Sequence, residues 1–246
     1  MLFLGIDLGT SAIKVCLFDA EAGRPLAFVS EPQSEMRVQS IREGWAEQDP
    51  EEWWTHTQKG IEKVLKTAGV DASSIGGIGI SYQMHGLVLV DKDHKVLRPS
   101  IIWSDSRAVP HGEKAFEVLG SQICLQHYLN SPGNFPAAKL HWVKKNEPEI
   151  YGRIHKMMLP GDFLAMKLSG EISTTIGGLS EGIMWDFQQK SQAVDLYKFF
   201  GIDTSLIPDV YKTFEATAGL SHSLAEAWGM KHGTHISYRA GDNPKY

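Results

Sequence analysis

The chain has 246 residues, enough for one large domain or two small ones with an ample core. A net charge of −5 offers no pull toward nucleic acid or acidic lipid, and Cys16 and Cys124 alone cannot build a disulfide framework or, at that spacing, a zinc site. The opening MLFLGIDLGT has no basic leader and meets Asp7 too soon for a signal peptide, and no run approaches the roughly 18 apolar residues of a membrane span. The expectation is therefore a cytoplasmic chain without membrane or nucleic-acid partners, its two cysteines reduced and buried.

LFLGIDLG and AIKVCLFD are short runs rich in β-formers, separated by a Gly-Thr-Ser turn, and AEAGR turns into PLAFVS; together they predict three antiparallel strands. From Asp49 the pattern changes to DPEEWWTHTQKGIEKVLKTAG. Asp49 suits an N-cap, Pro50 the first helical position and Glu52 a capping box, while Trp53, Thr57, Ile61 and Val64 recur at helical spacing and Gly69 ends the run. SIGGIGISYQMHG reads as a buried strand and LVLVDKDHKVLRP as a second hairpin. Beyond Trp103 the pattern predicts helices over 106–119, 134–146 and 160–168, with the strand HKMML before the last, and Trp142, Trp185 and Trp228 as core residues. Three strands, a helix, a strand and then helices make an α/β layout, forming one compact unit without repeats or low-complexity linkers.

Four stretches could carry chemistry. In GIDLGTSAIK, Asp7 closes an apolar strand, and the turn Gly9-Thr10-Ser11 offers backbone N–H groups and hydroxyls to an anion, with Lys14 returning toward it. A carboxylate beside a phosphate cradle calls for a hard cation such as Mg²⁺ between them. The same residues also suit a plain hairpin turn. In SYQMHG, Met84 and His85 follow a buried strand, where α/β proteins place ligand groups, although a structural histidine fits as well. In WSDSR, Trp103, Asp105 and Arg107 could contact a polyol, or Asp105 and Arg107 could pair with each other. In AGDN, Asp242 beside Asn243 could accept a proton from a substrate hydroxyl or form an Asx turn.

The order of these segments says more than any one of them. GIDLGTSAIK, GWAEQDPEEWW, GIGISYQMHG, RPSIIWSDSR, AAKLHWVKKNEPEI, MLPGDFLAMKLSGE and AGDN resemble, in register from about residue 2 to 243, the N-terminal half of FGGY-family carbohydrate kinases, with WAEQDPEEWW, QMHG and Trp-x-Asp-x-Arg pointing to the xylulokinase branch. The resemblance implies a ribonuclease H-like fold of the actin-type ATPase kind, a mixed sheet flanked by helices. It implies ATP and Mg²⁺ as cofactors and D-xylulose as substrate. It implies Asp7 at the metal, Gly9, Thr10, Ser11 and Lys14 at phosphate, and Met84 and His85 at the sugar. Trp103, Asp105 and Arg107 match a segment close to the sugar, and Asp242 the general base with Asn243 beside it.

The departures carry expectations too. In the family a second, ATP-binding domain follows the Gly-Asp-Asn turn, whereas here PKY follows, so residues 1–246 are expected to be the sugar-binding domain, inactive or nearly so alone, with homodimer formation or other self-association through an exposed interdomain face. Ser81 and Tyr82 replace smaller residues and are expected to narrow the sugar pocket, and PGNFPAAKL carries an insertion before Lys139. A sugar-binding module without catalysis, or a kinase of ribulose, gluconate or glycerol, remains open at this point.

Overall fold

Three antiparallel strands, β1 (Leu2–Leu8), β2 (Ile13–Asp19) and β3 (Arg24–Glu31), start the chain and form one wing of a mixed sheet. The computed structural model describes residues 1–215 and 218–242. β4 (Ile75–Tyr82) returns parallel to β1, and β6 (His235–Gly241) lies parallel to β4 on its other side, with the short β5 (Ala218–Gly219) at the edge. The order across the sheet is β5-β6-β4-β1-β2-β3.

Alternation decides which face is covered. Leu4, Ile6 and Leu8 of β1, Ile13, Val15 and Leu17 of β2, and Ile78 and Ile80 of β4 point to the same side and are buried. Helix α1 (Pro50–Ala68) covers β2 and β3 on that side, and the Pro160–Ser169 helix covers β4 and β6. Gly60 lets α1 approach the sheet, because a methyl group there would come within 2.7 Å of Val15. The opposite face leaves Phe3, Phe18, Phe28 and Tyr238 between 38% and 59% exposed, and Phe28 and Tyr238 line an open depression of about 380 Å³ together with Asp7 and Lys14. A second apolar cluster lies beyond the sheet, where Leu140 and Val143 of the Pro136–Asn146 helix meet Met157, Leu179, Leu196 and Phe200.

The predicted elements hold with adjusted ends. The helices run Val109–Leu119, Pro136–Asn146 and Pro160–Ser169, and α1 starts at Pro50 with Asp49 as its cap and stops at Gly69 in the left-handed region. The capping box does not form: Asp49 accepts from Glu51 N, and Glu52 lies toward His56 instead, 3.8 Å away. The hairpin after residue 87 turns at Asp91, but the ladder of Val88–Val90 is with Lys156–Met158, the predicted HKMML strand. Helices Ser121–His127, Ile176–Glu181, Val194–Phe200 and His222–Trp228 carry too few periodic apolar residues to be foreseen. Trp142 and Trp228 are buried, whereas Trp185 is half-buried. Cys124 is buried as expected; Cys16, on the open face, is only half-buried, and both are free thiols.

Candidate active site

The candidate site forms where three adjacent parallel strands end together. Register pairs Leu8 with Tyr82 and Tyr82 with Gly241, so the turn after β1, the segment after β4 and Asp242 after β6 all emerge at one edge. Backbone bonds continue the ladder one step past the strands, from Gln83 N to Leu8 O at 2.7 Å and from Asp242 N to Tyr82 O at 2.9 Å. Asp7 is in register with Ser81 and Ser81 with Ala240, so Asp242 lies two strand spacings across and two residues further along, roughly 12 Å from Asp7.

On the β1 side, Asp7 and Lys14 are cross-strand partners, and Lys14 Nζ donates to Asp7 Oδ2 at 3.1 Å with both side chains partly open to solvent. The pair offers one carboxylate to a hard cation and one ammonium to an anion. Among the described residues no three His, Cys, Asp or Glu side chains group into a metal site. Mg²⁺ at Asp7 would take its other oxygens from phosphate and water, the ordinary coordination of that ion beside phosphates, and the lone carboxylate fits it on those terms. The turn itself spends part of its donor set: Gly9 N bonds to Ala12 O at 3.1 Å.

Thr10 ties this turn to the rest of the site. Its hydroxyl donates to Gln83 Oε1 at 3.0 Å and accepts from Trp103 Nε1 at 2.9 Å, while its carbonyl accepts from Gln48 Nε2 at 2.7 Å. Gln83 Nε2 donates in turn to Gln48 Oε1 at 2.9 Å, which also accepts from Trp53 Nε1. The Thr10 hydroxyl is thus held within the protein, whereas Ser11, the other hydroxyl residue of this turn, is exposed. Trp103 remains 52% exposed, its indole laid beside the turn.

On the β4 side, Met84 packs against the last strand; a methyl group on Gly241 would lie 3.3 Å from both Met84 Cβ and Cε. His85 has φ 63, in the left-handed region, and its ring meets Phe135 edge-on with centroids 4.6 Å apart. Its N–H donates to Glu181 Oε1 at 2.6 Å, and its carbonyl accepts from Lys139 Nζ at 2.7 Å. The same ammonium donates to Ile102 O at 2.9 Å, which brings the Trp103 segment alongside His85. Burial pushes the Lys139 ammonium down to about 7, with Asp105 and Glu181 pulling the other way and Arg107 adding to the drop.

Asp105 and Arg107 do not present their head groups to the cleft. Both side chains are buried, and Arg107 donates to Asp105 through Nε and Nη2 and reaches Glu47 Oε1 at 2.6 Å. Asp105 accepts from Ala46 N as well, and the guanidinium lies 3.7 Å over the Trp45 ring. Of the two accounts the residues allowed, the ion pair is the one formed. Tyr82 does not narrow the cleft: its ring is buried against Gly161, where no side chain fits, and burial with the Glu181 and Asp162 charges holds its hydroxyl well above the usual range. Ser81 lines the open sheet face with Asp7. Asn243 lies outside the described residues.

The last strand is anchored from below. Arg239 of β6 reaches Asp162 Oδ1 at 3.2 Å and Ser173 Oγ at 3.1 Å in the interior, and Thr174 Oγ1 donates to Asp162 Oδ2 at 2.8 Å. Glu181 and Lys139, the charged residues that bond the His85 backbone, are assigned no role from the sequence. A lysine inside the apolar run AAKLHWV is the available signal for one; nothing local marks Glu181.

With this geometry in place, comparison with known proteins identifies the family. The model of the FGGY family of carbohydrate kinases, N-terminal domain, matches residues 2–245. The chain belongs to that family. Among curated relatives, the xylulose kinase of Escherichia coli (strain K12) is 34% identical over 232 residues, covering 93% of this chain and 46% of that protein. Among solved structures, a protein described as a xyloylose kinase from Brucella ovis superposes with a TM-score of 0.90 at 32% identity, over 99% of this chain and 49% of that one. The xylulose kinase from Rhodospirillum rubrum gives a TM-score of 0.89 at 26% identity, over 98% and 49%. The chain thus spans about half the length of these relatives. The fold is that of sugar kinases of the actin-like ATPase kind, with a mixed sheet flanked by helices, as the FGGY resemblance implies. Among the described residues no helix is long and apolar enough to cross a membrane.

Proposed function

We propose that this FGGY-family chain supplies the sugar-binding half of an ATP-dependent kinase of D-xylulose. The observation that carries the reading is the meeting of the Asp7–Lys14 pair, the Met84-His85 segment and Asp242 at the ends of three adjacent parallel strands. The xylulose kinases similar to this chain are the reason for choosing that sugar.

In this reading Met84 gives the sugar carbon chain an apolar contact, and His85 and Trp103 bound it on the side away from Gly241. The Asp242 carboxylate takes the proton of the terminal hydroxyl as that oxygen bonds to the γ-phosphorus and the bond from phosphorus to the leaving oxygen of ADP breaks. Proton acceptance of this kind is worth about 10²–10⁴ in rate. ATP supplies the phosphoryl group and Mg²⁺ neutralises its charge. Asp7 would hold the ion, and Ser11, Lys14 and the N–H groups of the Gly9–Ser11 turn would face the phosphates. Asp105 and Arg107 act indirectly, fixing the Trp103 loop from the interior.

Calorimetric titration of the 246-residue chain with D-xylulose, and then with ATP–Mg²⁺, tests the proposal. The expected result is sugar binding that Asp242→Ala or His85→Ala reduces at least about tenfold. Absence of sugar heat in a folded chain, or binding unchanged in both variants, rejects the assignment of the site.

A further inference from the structure

His85 sits in the left-handed backbone region, which is unfavourable for a non-glycine residue and persists only where the surroundings enforce it. The chain just beyond it is closely packed, Gly86 lying so near Pro160 that an added methyl group would come within 2.5 Å of its Cγ. The rest of the enforcement comes from two charged side chains of opposite sign that grip one residue. Glu181 Oε1 takes its N–H at 2.6 Å, and Lys139 Nζ gives a hydrogen bond to its carbonyl at 2.7 Å. Lys139 shows no exposed surface and Glu181 only 2%. Burying such charges costs several kcal/mol each, and apolar residues of similar volume generally serve stability as well or better. Stability therefore gives a poor account of them, whereas geometry gives a direct one: they meet at His85, and the second bond of Lys139 goes to Ile102, next to Trp103.

We infer that Lys139 and Glu181 are positioning residues, a two-sided clamp that sets the His85 backbone and the Trp103 segment in the orientation the sugar meets. The inference rests on the sugar reading of the site for its consequence, though not for the clamp itself. Glu181 also underlies the last strand, since a methyl group on Gly241 would lie 2.8 Å from Glu181 Oε2. One carboxylate is thereby in contact with the ends of both β4 and β6, between His85 and Asp242.

Amide hydrogen exchange of the 246-residue chain, without sugar, reads the clamp directly. The His85 amide is expected to be protected by roughly a thousandfold or more, like the strand amides beside it; exchange at the rate of an open loop overturns the inference. Lys139→Met and Glu181→Ala are expected to speed that exchange and to weaken D-xylulose binding, each by about tenfold or more. Glu181→Gln keeps an oxygen that accepts the His85 N–H and is expected to stay within about threefold of the parent in both measurements. Folded Lys139→Met and Glu181→Ala with parental exchange and affinity overturn the clamp. Should Lys139→Met fail to fold, the contrast between Glu181→Gln and Glu181→Ala decides it alone. A parent chain that binds no sugar overturns the sugar reading, while the exchange data still decide the clamp.

Discussion

Trp103 donates its indole N–H to the hydroxyl of Thr10 at 2.9 Å, joining residues 93 positions apart. Thr10 belongs to the anion turn after β1, and Trp103 is a candidate sugar contact, so this bond connects the two halves of the proposed site. Gln83 and Gln48 extend it into the interior as a chain of side-chain bonds. Thr10→Val removes both of the hydroxyl's bonds with little change of shape. The expected outcome is a stability loss of about 1–2 kcal/mol in urea unfolding, together with weaker D-xylulose binding in calorimetry. Parental affinity would mean that packing alone holds Trp103.

Gly241 gives a second handle. An added methyl group would press on Glu181 Oε2 and Met84 at once. Gly241→Ala is expected to cost about 1–3 kcal/mol, as overpacking generally does, and to reduce sugar binding more than Gly→Ala at the exposed turn residue Gly152, whose φ of −65 suits alanine. Thermal unfolding and titration of the two variants side by side make the comparison.

The buried pair of Asp162 and Arg239 holds β6, and with it Asp242, to the Pro160–Ser169 helix. Burial raises the Asp162 carboxyl, against the opposing pull of Arg239 and the hydrogen bond from Thr174. Asp162→Ala leaves a guanidinium in the interior without its counter-charge, and a loss of roughly 3–5 kcal/mol is expected. Denaturant unfolding with an unchanged slope and a midpoint lowered by that amount would agree; a loss under about 1 kcal/mol would show that Ser173 and the remaining neighbours satisfy Arg239.

Lys139 predicts a dependence on pH. Its folded value is pushed down to about 7, by burial first, against an ordinary value of 10.5. Between those limits the unfolded chain binds the extra proton, so stability rises with pH across that window, by at most about 1.4 kcal/mol per pH unit. Below pH 7 both states are protonated and this slope vanishes. Urea unfolding of the parent and of Lys139→Met at pH 6 to 10 should show the parent gaining on the variant as pH rises. A neutral amine keeps two N–H donors for the His85 and Ile102 carbonyls, so sugar affinity is expected to survive the same rise. A constant difference between the two proteins across the range would mean that Lys139 keeps its proton throughout.

Local chemistry settled much of this protein before any contact was known. Alternating apolar residues define β1, β2 and β4, Asp49-Pro50 and Gly69 bound the long helix, and the segments around Asp7, His85, Trp103 and Asp242 announce themselves through residue types that turns and strand ends favour. Those signals are short-range, and a sequence carries them intact. What the tertiary structure decided is which of these groups share a site and which are spent on each other. Register across β1, β4 and β6 brings three distant segments to one edge. Burial turns Asp105 and Arg107 inward as an ion pair, sends Tyr82 into the core, and places Lys139 and Glu181 on either side of one histidine. A charged residue in a sequence has no address: whether it meets solvent, a ligand or an opposite charge depends on desolvation and on partners brought from distant parts of the chain, which only the folded chain supplies.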